Sequence, residues 1–87
     1  MKIVIIIPAH NESRTIGGLV KEVIELGYDC IVVDDGSSDD TVKEAKRNNV
    51  CLIHHSENRG YGASLKTGIN AAKNETIVII EIGRAHV

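Results

Sequence analysis

The sequence predicts an α/β fold, an open parallel sheet with βαβαβαβ order, and three observations carry that prediction. Four short apolar runs rich in β-branched residues recur along the chain. Stretches with helical spacing separate them, and the polar, glycine-rich residues gather after the strands instead of before them. Strands joined through helices are expected to pair in parallel, with right-handed crossovers.

Residues 2–7 form a continuous β-branched run, as expected of a strand buried on both faces, and Pro8 is expected to end it. Asn11 or Ser13 can cap the helix that follows. Its apolar positions Ile16, Leu19, Val20, Val23 and Ile24 keep i, i+3, i+4 spacing, and Gly27 should stop it. Ile31-Val32-Val33 is the second strand. Ser38 is the expected cap of a short second helix, with Asp39 and Asp40 in its first turn and Lys46-Arg47 in its last, an order that complements the helix dipole. Residues 50–53 read as the third strand and residues 60–74 as the third helix, where Ala63, Gly68, Ala71 and Ala72 would allow close approach to the sheet. Residues 76–80 read as the fourth strand.

At 87 residues with 43% hydrophobic and 25% charged content, the chain is expected to be globular and to hold one small domain. A domain of that size buries roughly 60–65% of the surface its unfolded chain exposes, so its stability is expected to be marginal. The net charge of −2 is spread without blocks and Tyr28 and Tyr61 are the only aromatic rings, which argues against nucleic acid as a partner. The longest apolar run, residues 3–7, is far short of the ~20 residues of a membrane span, and Met1-Lys2 lacks a signal peptide's n-region. A cytoplasmic location is the expectation. Cys30 and Cys51 both lie in strand-like segments, where they read as small buried hydrophobes.

In an open parallel sheet, ligands sit outside the carboxyl ends of the strands, where strand order reverses. That rule nominates residues 8–13, 34–39 and 54–62 and whatever follows Ile80. Pro8-Ala9-His10-Asn11-Glu12 stands where a dinucleotide fold would carry G-x-G-x-x-G, yet it has no glycine and offers an amide and a carboxylate to a base or ribose edge. Taken alone, it also reads as a turn with Asn11 as cap. Asp34-Asp35-Gly36-Ser37 puts two carboxylates at the mouth of the second strand, able to accept from ribose hydroxyls or base N–H groups, or else to serve a plain Asp-Gly turn. Asn58-Arg59-Gly60-Tyr61-Gly62 precedes the third helix and could present free amides to an anion, with Arg59 and Lys66 nearby. Leu65 stands where a P-loop needs its second glycine, which argues against an NTPase. His10, His54 and His55 lack zinc spacing, and adjacent histidines in a strand point to opposite faces, so structural roles are expected of them.

In this order, Ile6-Ile7-Pro8-Ala9-His10-Asn11-Glu12, Ile31-Val32-Val33-Asp34-Asp35-Gly36-Ser37-Ser38-Asp39 and Asn58-Arg59-Gly60-Tyr61-Gly62-Ala63-Ser64-Leu65-Lys66-Thr67-Gly68 resemble the family-2 glycosyltransferases of GT-A fold. The third segment is most similar to the branch that transfers sugars to dolichyl or other polyprenyl phosphates. The resemblance covers residues 2–80 and implies an enzyme that takes a sugar from a UDP- or GDP-linked nucleotide-diphosphate donor, with inversion. It implies that Pro8, Ala9, Asn11 and Glu12 line the nucleotide pocket, that Asp34 and Asp35 hold the base or ribose, and that Gly60 and Lys66 support the donor. It also implies Mg²⁺ or Mn²⁺ at the leaving diphosphate and a parent protein associated with a membrane through a C-terminal part.

The family's metal-holding Asp-x-Asp is expected directly after the fourth strand, where this chain reads Glu81-Ile82-Gly83-Arg84-Ala85-His86-Val87. No catalytic acid or metal ligand is therefore expected among these residues. That heptapeptide can be encoded by GAG ATC GGA AGA GCA CAC GTC, which looks like a short-read sequencing adapter. Residues 1–80 are thus expected to be the N-terminal nucleotide-sugar-binding part of a glycosyltransferase domain, inactive alone, and residues 81–87 a non-native tail. The alternative is a non-catalytic nucleotide-binding or interaction module of the same fold.

Overall fold

A computed structural model describes residues 3–73 and 75–82. Seven elements follow one another: β1 (Ile3–Ala9), α1 (Ile16–Glu25), β2 (Asp29–Asp35), α2 (Thr41–Ala45), β3 (Cys51–His55), α3 (Tyr61–Ala72) and β4 (Thr76–Ile79). They form a four-stranded sheet of order β3-β2-β1-β4 in which every ladder is parallel, as the alternation predicts. The chain steps outward from β1 to β3 and then returns to the far side of β1, so strand order reverses between β1 and β4.

Alternation along the buried strands divides the core in two. Ile5, Ile7, Ala9, Cys30 and Val32 meet Ile16, Val20 and Val23 of α1 and Ala45 of α2 on one face. Val4, Ile6, Ile31 and Val33 meet Ala72 of α3 on the other. The close approach of α3 rests on Gly68, where a Cβ would stand 2.5 Å from Ile6 Cγ2. Ser64 and Ala72 are buried beside it, whereas Ala71 is exposed and Ala63 half-buried, so the contact stripe is narrower than the four small residues suggest.

Several boundaries differ from expectation for identifiable reasons. Pro8 does not end β1; it pairs with Val33, and the ladder with β4 has already finished at Ile6–Ile79. A proline without an N–H is tolerated where a central strand has only one neighbour left. Strands β2 and β3 each run on to include the polar pairs Asp34-Asp35 and His54-His55. Neither Asn11 nor Ser13 caps α1, which starts later, at a Thr15 N-cap. Gly27 does stop it: at φ +89° it closes a Schellman turn, with the Gly27 amide donating to Ile24 and the Tyr28 amide to Val23. Ser38 is not the cap of α2; Asp40 is its N-cap and the Asp39 carboxylate accepts from the Thr41 amide at 2.9 Å. Cys30 is buried as expected, but Cys51 is exposed because β3 is an edge strand. Lys2 and Asn74, the expected limits of the first strand and third helix, and Gly83 to Val87 of the proposed tail lie outside the described residues.

Candidate functional site

The loops at the carboxyl ends of β1 and β2 are stitched together by Asn11, which sits at φ +54°. Its amide donates to Ser37 Oγ at 2.8 Å, and its side-chain oxygen accepts from the Ser38 amide at 2.8 Å. One residue on, the Glu12 amide donates to Thr41 Oγ1 at 2.8 Å, and the Ser13 amide donates to Asp39 Oδ2 at 3.3 Å. The Thr41 hydroxyl and amide and the Ser13 amide all serve the Asp39 carboxylate and hold it down to about 2 from an ordinary 3.8.

Because β2 continues through both acids, Asp34 and Asp35 face opposite sides of the sheet. The parallel register sets Asp34 opposite His54 and Asp35 opposite His55. Asp34 is fully buried; its carboxylate accepts from the Ser37 hydroxyl and amide and from His54 Nδ1 at 2.7 Å. Asp35 accepts from His55 Nδ1, the Arg59 amide and the Gly60 amide, each at 2.9 Å. Burial by itself would raise the Asp35 carboxyl, but the bonds from His55, Arg59 and Gly60 and the attraction of the imidazole hold it below its ordinary value. Gly36 completes the join: at φ +70° it lies so close to the next loop that a Cβ would stand 2.6 Å from the Asn58 nitrogen.

Around this framework opens a cleft of about 240 Å³, between the carboxyl ends of β1 and β4 where strand order reverses. Pro8, Ala9, His10 and Glu12 form one wall, Asp35 and Asn58 the floor, Gly60, Tyr61 and Ser64 the start of α3, and Glu81 and Ile82 the wall after β4. The Tyr61 hydroxyl donates to the Glu81 carboxylate and joins those last two walls. His10 stands at the rim, its Nδ1 donating to the Asp35 carbonyl at 2.9 Å and its Nε2 3.3 Å from the Asn58 side-chain nitrogen.

Of the residues singled out in the sequence, Pro8, Ala9, Glu12, Asp35 and Gly60 converge on the cleft, while Asn11, Asp34 and Lys66 do not line it. Asn11 and Asp34 are spent on holding loops together, and Lys66 is exposed on α3. Two of the amides expected to greet an anion, those of Arg59 and Gly60, already serve Asp35. Sequence reasoning missed His10, Asn58, Tyr61 and Ser64 as lining residues, and it missed the pairing of the two histidines with the two acids. The signal for that pairing was available: two adjacent parallel strands each end in a polar doublet of matching chemistry, Asp-Asp and His-His.

Among the described residues no three side chains of metal-ligating type converge. Both acids of β2 are engaged by protein donors, and Glu81 faces Tyr61, so these residues do not fit a divalent ion. Among them, too, no helix is long and apolar enough to cross a membrane.

A family model described as Glycosyl transferase family 2 matches residues 4–81. An uncharacterised protein of Methanocaldococcus jannaschii is 43% identical over 72 residues, which are 82% of this chain and 30% of that protein. The UDP-N-acetylglucosamine–dolichyl-phosphate N-acetylglucosaminyltransferase of Methanococcus voltae is 38% identical over 88 residues, 80% of this chain and 35% of that enzyme. Glucosyl-3-phosphoglycerate synthase of Mycobacterium tuberculosis, solved with uridine diphosphate, superposes with a TM-score of 0.83 at 25% identity over 97% of this chain and 34% of that one. The same enzyme solved with Mn²⁺, uridine diphosphate and its product gives 0.81 at 25% identity, over 92% of this chain and 33% of that one. The chain thus spans about a third of the length of these relatives.

Proposed function

The chain belongs to glycosyl transferase family 2 and carries the parallel α/β sheet of the GT-A fold, and on that premise we propose that residues 1–80 are the donor-binding part of an enzyme that moves a sugar from a UDP- or GDP-linked donor to a polyprenyl phosphate, with inversion. The observation that carries the reading is the cleft at the reversal between β1 and β4, into which a carboxylate from each of two strand ends, Glu12 and Asp35, is brought together with Gly60. Such acceptors suit the hydroxyls of a ribose and the N–H edge of a base. Asn11 and Asp34 act behind them by fixing the loops. Relatives named for dolichyl phosphate and a neighbour solved with uridine diphosphate support the acceptor and donor classes.

A divalent ion, where bound, supplies charge neutralisation at the leaving diphosphate. In this reading the acids that hold it belong to the parent protein beyond residue 80, and the residues described here make no step through it. The non-native character of residues 81–87 is part of the same proposal, under which the Glu81 and Ile82 wall of the cleft belongs to this chain and not to the parent's site. The family match ends at residue 81 and so reaches only the first residue of that segment. Resequencing the source gene should show the frame continuing from Ile80 into an Asp-x-Asp, and a native stop codon after Val87 would sink that part.

The binding claim is tested by titrating the folded chain with UDP and GDP while following the backbone amides of residues 58–61 by NMR. One of the two nucleotides should shift them saturably; a folded chain that responds to neither overturns the reading. Restoring the C-terminal remainder of the parent should add transfer to polyprenyl phosphate. Binding without transfer in that longer protein would favour the non-catalytic module.

A further inference from the structure

We propose that His55 is a positioning residue of the donor cleft: it sets the Asp35 carboxylate, and through it the Arg59–Gly60 turn, in the arrangement that receives the nucleotide. The proposal rests on the donor-site reading above and deepens it. His55 is 5% exposed and lines no part of the cleft, so it does not touch a ligand there. Its Nδ1 lies 2.9 Å from Asp35 Oδ1 and its Nε2 lies 2.9 Å from Thr67 Oγ1, so β3 and α3 together fix the plane of the ring.

A carboxylate only accepts, so Nδ1 is the donor in that pair. Oδ1 takes a second bond from the Arg59 amide, and Oδ2 takes one from the Gly60 amide. Of roughly four lone-pair positions on a carboxylate, three are filled by the protein. The position left is the one Asp35, as a lining residue, can offer to a donor group in the cleft. The last torsion of an aspartate is broad, and the two loop amides, from neighbouring residues of one turn, hold the carboxylate from one side. The His55 bond, anchored by Thr67, adds a third fixed point from a different element, β3, and so sets the plane in which the carboxylate and the turn meet. His54 lacks this role, because it bonds Asp34, which does not line the cleft.

Two substitutions separate positioning from packing. In His55→Asn the side-chain nitrogen stands where Nδ1 stood and can still donate to Asp35. In His55→Gln the nitrogen reaches the place of Nε2, near Thr67, and the Asp35 bond is lost, although glutamine fills more of the ring's volume. Affinity for UDP and GDP is measured on the full 87-residue chain and on both variants, with circular dichroism to confirm folding. For whichever nucleotide the unsubstituted chain binds, His55→Asn should bind at least fivefold more tightly than His55→Gln, and only in His55→Gln should the Arg59 and Gly60 amide resonances move. If His55→Gln binds as tightly as His55→Asn, the proposal is overturned while the donor-site reading stands. If the unsubstituted chain binds neither nucleotide, both fall. Should either variant not fold, long-range ¹H–¹⁵N spectra of the unsubstituted chain decide: a proton on His55 Nδ1 supports the proposal, and an unprotonated Nδ1 overturns it.

Discussion

At the scale of single residues, the site is made of acids whose bonding partners come from elsewhere in the chain. Asp39, on the surface, has its carboxyl lowered to about 2 by Thr41 and Ser13, and Asp35 is lowered in the same direction despite its burial. A group depressed in the folded state adds stability that is complete above its unfolded value and disappears as pH falls through its folded value. For Asp39 that window runs from about 4 down to about 2, and Asp35 adds to it. Thermal melts between pH 6 and pH 2 should therefore show a midpoint that falls steadily below about pH 4, less steeply in Asp39→Asn. A midpoint that stays level down to pH 2 would contradict these bonds. The motifs that attracted notice in the sequence meet at one end of the sheet, but the contacts their residues make were not legible there. Asn11 looked like a pocket residue and is a staple, since nothing in its neighbours announces Ser37 and Ser38, which lie more than twenty-five positions away.

Among the elements, two helical glycines that look alike in sequence should behave oppositely. Gly18 lies in α1 with open space around its Cα, whereas Gly68 lies in α3 with Ile6 and Val33 against it. Alanine at position 18 removes backbone freedom from the unfolded chain at no steric cost and should stabilise by about 0.5–1 kcal/mol. Alanine at position 68 must push into Ile6, a side chain with no exposure, and should cost about 1–3 kcal/mol through overpacking. Chemical denaturation of Gly18→Ala and Gly68→Ala measures both, and a destabilised first variant or a neutral second would show that the helices sit differently. Helix periodicity located α1 and its Gly27 stop because those signals are local. It missed the starts of α1 and α2, because their entry turns are organised by Glu12, Asp39 and Thr41 acting across loops.

For the molecule as a whole, the decisive feature is an edge strand that the described residues leave partly exposed. Among the described residues β4 pairs with β1 alone, and Val78 and Ile79 are 43% and 38% exposed. An apolar edge strand with unpaired backbone groups invites pairing with another chain. The isolated chain should associate at micromolar concentration, and Val78→Lys, which places a charge on that edge, should return it toward monomer in analytical ultracentrifugation. A monomeric unsubstituted chain would count against this. The alternation of four strands with helices, their parallel pairing and the family itself were all determined by the sequence, because hydrophobic period, connection length and motif order are properties read along the chain. What only the tertiary structure decided is which polar residues line the cleft and which face each other. The register of β2 against β3 brings Asp34 to His54 and Asp35 to His55. A carboxylate can spend its lone pairs on the protein or on a nucleotide, and that choice depends on partners brought near by folding.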